Sequence, residues 1–141
     1  MLKKTITYVD FNGRERTEDH WFNLTRTELV EFALDLPDGL VDSEQPEVTE
    51  QAALAVMDKL GGRGVFKFIK DLIMKSYGIK SSDGKRFEKT EAITTEFTQT
   101  LAFDKLFTEL ISDDEAAAEF VNNLIPSDIA KSLSVNAKSE N

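Results

Sequence analysis

The sequence predicts a mainly α-helical fold, a single helical domain of about five to six helices with an N-terminal β-hairpin. Residues 4–24 carry alternating β-forming residues around an Asn-Gly pair, whereas residues 25–125 carry apolar residues at helical spacing, with repeated capping signals. At 141 residues and 40% hydrophobic content, the chain can bury one modest core. We therefore expect residues 1–126 to form a single domain and the polar segment 127–141 to be a mobile tail.

The hairpin is expected over residues 4–24 and turns at Asn12-Gly13, because both turn residues tolerate positive φ. A strict two-residue loop would pair Ile6 with Asp19, an apolar residue with a charged one. Slipping the register by one residue pairs Ile6 with His20 instead. We favour the slipped register because it gathers on one face Ile6, His20, Phe22 and Leu24.

The first helix is expected to begin at Thr25, because Thr25 and Glu28 have the spacing of a capping box. It is expected to end near Leu36, before Pro37-Asp38-Gly39, which disfavours a helix. Its inward side chains are predicted to be Leu29, Val30, Ala33 and Leu34. The spacing of these residues places them on one side of a helix.

Two helices are expected in the middle of the chain. The first opens at Pro46 and runs to Leu60, after which the glycine-rich residues 61–64 interrupt it. The next runs from about Val65 to a left-handed cap at Gly78. Its apolar residues at helical spacing are Val65, Phe66, Ile69, Leu72, Ile73 and Tyr77. An exposed turn over residues 81–84 follows.

Three more helices are expected in the last third. Thr90 is a predicted N-cap ahead of Ile93, Phe97 and Leu101. Residues 103–111 then form the densest apolar stripe of the chain. Ser112 to Glu115 has the spacing of a second capping box, which opens a last helix that ends at Pro126.

The sequence contains no recognisable catalytic, metal or cofactor motif, and we predict that the protein is not an enzyme. It has no cysteine, and its one histidine, His20, is interpreted as a packed or half-exposed strand residue. The acids Asp113, Asp114 and Glu115 are explained by helix capping rather than by metal binding. The glycine-rich residues 61–64 lack the Gly-Lys-Ser/Thr ending of a phosphate-binding loop and are interpreted as a joint.

Binding to other proteins is the remaining class of function, and the apolar stripe supplies candidate contacts. Aromatic residues at helical spacing usually form a core, but this stripe is wide for a small protein. The predicted partner-binding residues are Phe103, Leu106, Phe107, Leu110 and Phe120. The net charge of −9 disfavours nucleic acid, and the sequence has no apolar run of membrane-spanning length.

Charge is distributed unevenly along the chain. Residues 28–58 hold nine acids and no bases, residues 63–89 hold eight bases and three acids, and residues 91–128 hold nine acids and one base. One interpretation is a set of solvated helix faces. The other is a pair of complementary patches through which copies of the chain, or a partner, dock in a fixed register.

Several segments, taken in order, resemble tail assembly chaperones of long-tailed phages that infect Gram-positive bacteria. The resemblance covers about Thr5 to Pro126. The segments that carry it are Ile6-Thr7-Tyr8-Val9-Asp10-Phe11-Asn12-Gly13, Trp21-Phe22-Asn23-Leu24-Thr25, Lys75-Ser76-Tyr77-Gly78, Ser82-Asp83-Gly84-Lys85-Arg86-Phe87, Leu106-Phe107-Thr108-Glu109-Leu110 and Ala116-Ala117-Ala118-Glu119-Phe120-Val121-Asn122-Asn123-Leu124-Ile125-Pro126.

The resemblance implies a protein that binds the tape measure protein, keeps it soluble and helps to recruit tail tube subunits during tail assembly. It implies action in the cytoplasm of the infected host and absence from the mature virion. Self-association along the client would suit the charge pattern. Two alternatives stay open: a structural virion protein, such as a minor tail or head-completion component, and an acidic inhibitor or regulator.

Overall fold

The structure is a computed structural model that describes residues 1–35 and 50–124. In chain order its elements are β1 (Leu2–Val9), β2 (Glu15–Phe22), α1 (Arg26–Leu34), α2 (Glu50–Ser76), β3 (Tyr77–Lys80), β4 (Phe87–Glu88), α3 (Glu91–Thr98), α4 (Leu101–Ser112) and α5 (Asp114–Leu124). The five helices found in these two ranges, together with the N-terminal strand pair, confirm the mainly α-helical prediction. The sheet has four strands in the order β1-β2-β3-β4, two more than predicted.

The predicted hairpin is present, but both registers considered above are wrong. Ile6 lies opposite Glu18 rather than opposite His20, so the strands are shifted by two residues from the favoured pairing. The shift originates at the turn, which is a three-residue loop over residues 11–13 with Gly13 at φ 79°. Asp10 fixes this loop, because its carboxylate accepts backbone hydrogen bonds from residues 12 and 14 at 2.9 Å each.

The faces of the hairpin were predicted correctly despite the wrong register. Side chains of a strand alternate between the two faces, so a shift of two residues leaves every side chain on its original face. Ile6, Phe22 and Leu24 are accordingly buried, and His20 is half-buried beside them.

Two short strands extend the sheet beyond the hairpin. β3 pairs with β2, where Trp21 lies opposite Gly78, and β4 pairs with β3. The predicted helix cap at Gly78 is wrong, because α2 ends at Ser76 and Gly78 does not adopt positive φ. Glycine is needed there for space, since a Cβ would lie 2.6 Å from the Phe87 ring. The predicted turn over residues 81–84 joins β3 to β4.

Among residues 1–35 and 50–124, the helices cover one face of the sheet and none packs on the other. The even-numbered side chains of β1 and β2 lie on the helix-covered face, where Ile6 and Phe22 enter a core shared with all five helices. The odd-numbered side chains form what we call the open face. On it the Thr5 hydroxyl donates a hydrogen bond to Asp19 at 2.6 Å.

α1 begins at the predicted capping box. The Glu28 N–H donates to Thr25 Oγ1 at 3.2 Å, and the Thr25 N–H donates to Glu28 Oε1 at 2.9 Å. Leu29 is buried as predicted, but Val30 and Leu34 are 40% and 62% exposed.

Among the α1 side chains that the structure describes, Phe32 is buried in place of Val30 and Leu34. Its ring lies 5.5 Å from that of Phe68 on α2, so this aromatic contact turns the opposite side of the helix to solvent. Three predictions concern positions that the structure does not describe. They are the inward position of the Ala33 side chain, the helix end at residues 37–39 and the helix start at Pro46.

α2 is kinked at the predicted glycine-rich joint. Only Gly61 departs from helical geometry, with φ 72° and ψ −179°, and the helix continues directly after it. Beyond the kink, Ile69, Leu72 and Ile73 are buried as predicted. Tyr77 belongs to β3 instead of to this helix.

The predicted N-cap at Thr90 is confirmed, since its hydroxyl oxygen accepts from the Ile93 N–H at 3.2 Å. α3 ends at Thr98, and Thr100 caps α4 by accepting from the Phe103 N–H at 3.2 Å. Leu101 therefore belongs to α4, one helix later than predicted.

The predicted N-cap of the last helix is displaced by one residue. Asp113 Oδ1 accepts from the Glu115 N–H at 3.0 Å and so caps α5. The Ser112 hydroxyl instead donates to the Thr108 carbonyl at 2.6 Å, which completes the last turn of α4. Ser112 is therefore not the cap, because its own helix already satisfies it.

Candidate protein-binding surfaces

The five residues predicted to contact a partner lie together in the core. Phe103, Leu106, Phe107 and Leu110 on α4 and Phe120 on α5 are only 1% to 9% exposed. Phe103 and Phe107 stack with ring centres 5.8 Å apart, and Phe120 meets Phe22 of the sheet edge-on at 5.3 Å. Their burial means that they stabilise the fold, and their role in partner binding stays a prediction.

The aromatic cluster reaches the surface at Phe66 of α2. This ring meets Phe107 edge-to-face at 4.7 Å, and 49% of the residue is exposed. Ile111, one turn beyond Phe107 on α4, is 36% exposed. We call Phe66, Phe107 and Ile111 the apolar rim, since here the predicted stripe comes closest to solvent.

Sequence reasoning placed Phe66 on the buried side of its helix. Its spacing to Ile69 and Ile73 fits that position, and both of those residues are buried. No signal within the helix distinguishes the three, because the exposure of Phe66 depends on tertiary packing, in which its ring meets only the edge of the core at Phe107.

Exposed apolar side chains also occur at the hairpin turn and on α1. Phe11 is 79% exposed and Val9 is 53% exposed, while Val30 and Leu34 lie on the outer side of α1. Single exposed apolar residues are common on protein surfaces.

His20 packs inside the aromatic cluster. Its ring lies 5.2 Å from that of Phe97 and 6.2 Å from that of Tyr77, and Nε2 has no hydrogen-bond partner among the described residues. Burial lowers the pKa of His20, although Glu18 and Asp19 oppose this shift by attracting the proton. This environment favours the neutral imidazole.

The described residues offer neither a metal-binding cluster nor a membrane-spanning helix. Within residues 1–35 and 50–124, no three acidic, histidine or cysteine side chains are grouped so that they could hold a metal ion. Over the same ranges, no helix is both long enough and apolar enough to cross a membrane.

Comparison with known proteins identifies the family. A family model described as phage tail assembly chaperone matches residues 1–141. The chain belongs to the phage tail assembly chaperone family. No curated protein and no solved structure gave a match to it.

Membership gives this tail assembly chaperone a non-enzymatic role in phage assembly and implies interaction with tail proteins in general. As an assembly chaperone it is expected in the infected host cell.

Proposed function

We propose that this chaperone binds the tape measure protein of a long-tailed phage of Gram-positive bacteria, keeps it soluble and helps to recruit tail tube subunits. The observation that carries the proposal is the apolar rim on a strongly acidic body. A client with exposed apolar helices needs an apolar contact, and a net charge of −9 keeps the complex in solution.

The contact is proposed to centre on the apolar rim. Phe66 offers an exposed aromatic ring, and aromatic anchors contribute strongly to binding energy at protein interfaces. Phe103, Leu106, Leu110 and Phe120 are proposed to act with Phe107 behind this ring, either by supporting it or by becoming accessible when the client displaces it.

Several copies are proposed to bind along one client molecule through self-association, without nucleic acid or membrane as a partner. The chaperone would act in the host cytoplasm and leave before the virion is complete. The length of a tape measure protein requires many chaperones, and repeated contacts between copies would raise their effective concentration on the client.

Affinity purification after co-expression tests the proposal. A tagged chaperone is expressed with the tape measure protein of the same genome, and the client is expected to co-purify from the soluble fraction. The Phe66→Asp variant is expected to lose the client, whereas Val30→Asp, at an exposed position of α1, is expected to retain it. Equal retention by both variants would reject the apolar rim as the contact.

Mass spectrometry of purified particles separates the proposal from the alternative of a structural virion protein. The chaperone is expected in lysates of infected cells and is expected to be missing from mature particles. A stoichiometric amount in particles would favour a minor tail or head-completion component.

A further inference from the structure

The open face of the sheet carries a basic and aromatic patch at the end away from the hairpin turn. The ammonium groups of Lys3 and Lys80 lie 5.8 and 4.8 Å from the centre of the Trp21 ring. Both lysines are exposed, and neither pairs with a carboxylate anywhere in residues 1–35 or 50–124. We call Lys3, Trp21, Lys80 and Phe87 the basic patch.

The backbone holds the aromatic part of this patch in place. Phe87 lies opposite Lys80 in the sheet, and its ring covers Gly78, where a Cβ would approach it to 2.6 Å. Trp21 lies directly opposite Gly78 on the neighbouring strand. The two half-buried rings thus lie on either side of Gly78, beside two ammonium groups that have no carboxylate partner among the described residues. This arrangement suits a partner that offers carboxylates.

A matching acidic surface lies on the other side of the same molecule. The end of α4 and the first turn of α5 expose four carboxylates, which we call the acidic corner: Glu109, Asp113, Asp114 and Glu115. Glu109 lies 3.9 Å from Lys4, a residue on the helix-covered face of the sheet. The acidic corner and the basic patch therefore lie on opposite sides of the sheet, and one copy cannot join its own two surfaces.

We propose that the basic patch of one copy docks on the acidic corner of a second copy. The contact is head-to-tail, so each added copy leaves one free patch and one free corner, and repetition produces a row of molecules. This inference rests on the self-association included in the proposed function and specifies the two surfaces that carry it. It joins Lys80 of the basic stretch 63–89 to carboxylates of the acidic stretch 91–128, and Lys3 is added from the N-terminal strand.

Charge favours a second copy over a nucleic acid as the occupant of the basic patch. The chain carries a net charge of −9, so a polyanionic backbone would be repelled by most of the molecule. A second copy carries the same net charge, but its carboxylates at the acidic corner form a discrete group and not a continuous polyanion, so only that part of the copy needs to approach the patch.

Charge reversal on each surface tests the proposal. Lys3→Glu with Lys80→Glu reverses the charge of the basic patch, and Asp114→Lys with Glu115→Lys cancels the charge of the acidic corner. Sedimentation velocity over a range of concentrations is expected to show association of the unmodified chain and a weakening of roughly tenfold or more in each double variant. Mixing the two variants is expected to restore association, because each retains one native surface that fits the other.

A matched control separates this contact from a general effect of charge. Lys59→Glu with Lys70→Glu makes the same change at exposed positions of α2 and is expected to leave association unchanged. Circular dichroism checks that every variant is folded, and association of the unmodified chain is expected to weaken as salt rises. An unmodified chain that stays monomeric, or a mixture that fails to associate, would overturn the inference.

The proposed function is read separately, from co-purification of the tape measure protein with the unmodified chain. If the unmodified chain self-associates but the tape measure protein does not co-purify with it, the proposed client is rejected and the proposed interface stands. A bound client with a monomeric chaperone would reject the interface alone.

Discussion

Lys89 and Glu28 join two distant parts of the chain through a short, largely buried ion pair. Lys89 Nζ donates to Glu28 Oε2 at 2.7 Å and to the Asn23 carbonyl at 2.6 Å, and the two side chains are 17% and 32% exposed. Burial lowers the pKa of Lys89 even though Glu28 opposes the shift. The pKa of Glu28 is lowered despite burial, because Lys89 and Thr25 donate hydrogen bonds to its carboxylate.

Replacing Lys89 should therefore destabilise the fold. Lys89→Ala removes the donor to Glu28 Oε2 and to the Asn23 carbonyl, while Glu28 Oε1 keeps the Thr25 N–H. We expect a loss of about 1–3 kcal/mol in the free energy of unfolding. Arg86→Ala is the control, because Arg86 is 74% exposed and its pairing with Glu88 should contribute less than about 1 kcal/mol. Urea unfolding measures the free energy of unfolding of both variants. Equal losses would show that the buried Lys89 contacts stabilise the fold no more than an exposed ion pair does.

Gly78 is expected to tolerate no side chain. In Gly78→Ala the new Cβ would lie 2.6 Å from the Phe87 ring and 2.8 Å from the Glu88 carbonyl oxygen, so β4 must move. We expect the free energy of unfolding, measured with urea, to fall by about 1–3 kcal/mol. Gly62→Ala, in a helix with open space around the position, should instead stabilise by about 0.5–1 kcal/mol. If Gly78→Ala left the free energy of unfolding unchanged, the described packing of Phe87 against Gly78 would be wrong.

Acid should weaken the fold partly through His20. Burial lowers its pKa below the usual 6.5, so the unfolded chain binds a proton more readily than the folded one as pH falls through about 6.5. Stability is then lost toward lower pH until the folded state also protonates. His20→Gln should reduce the slope of unfolding free energy against pH between about 7.5 and 5.5. An unchanged slope would show that His20 does not titrate differently on folding.

The two members of the Phe66–Phe107 contact should differ in their contribution to stability. Phe107→Ala creates a cavity in the core and should cost about 3–5 kcal/mol. Phe66→Ala removes a half-exposed ring and its edge-to-face contact, so we expect the free energy of unfolding to fall by about 0.5–1.5 kcal/mol. Thermal and urea unfolding compare the two, and a large loss for Phe66→Ala would place Phe66 in the core rather than on a binding surface.

Local signals in the sequence predicted the helix starts well. Thr25 and Thr90 form the expected caps, because capping depends on residues within one turn of each other. The cap of α5 was displaced to Asp113, since both Ser112 and Asp113 can cap and only the end of α4 decides between them.

Features that depend on distant residues were not predictable in the same way. β3 exists because Tyr77 and Gly78 pair with β2, more than fifty residues earlier in the chain, and the local pattern there resembles a helix end. The hairpin register failed because the loop begins at Phe11 rather than at Asn12. The apolar rim needed tertiary structure, because the periodicity of α2 places Phe66 with its buried neighbours.

The soluble fraction of the tape measure protein, measured with and without this chaperone, tests the central claim most directly. The client is expressed alone, with the unmodified chain, with Phe66→Asp and with Val30→Asp, and its amount is compared in supernatant and pellet. We predict that the client is soluble when expressed with the unmodified chain or with Val30→Asp. We predict that it is insoluble when expressed alone or with Phe66→Asp. A client that stays in the pellet beside a folded, unmodified chain would contradict the account.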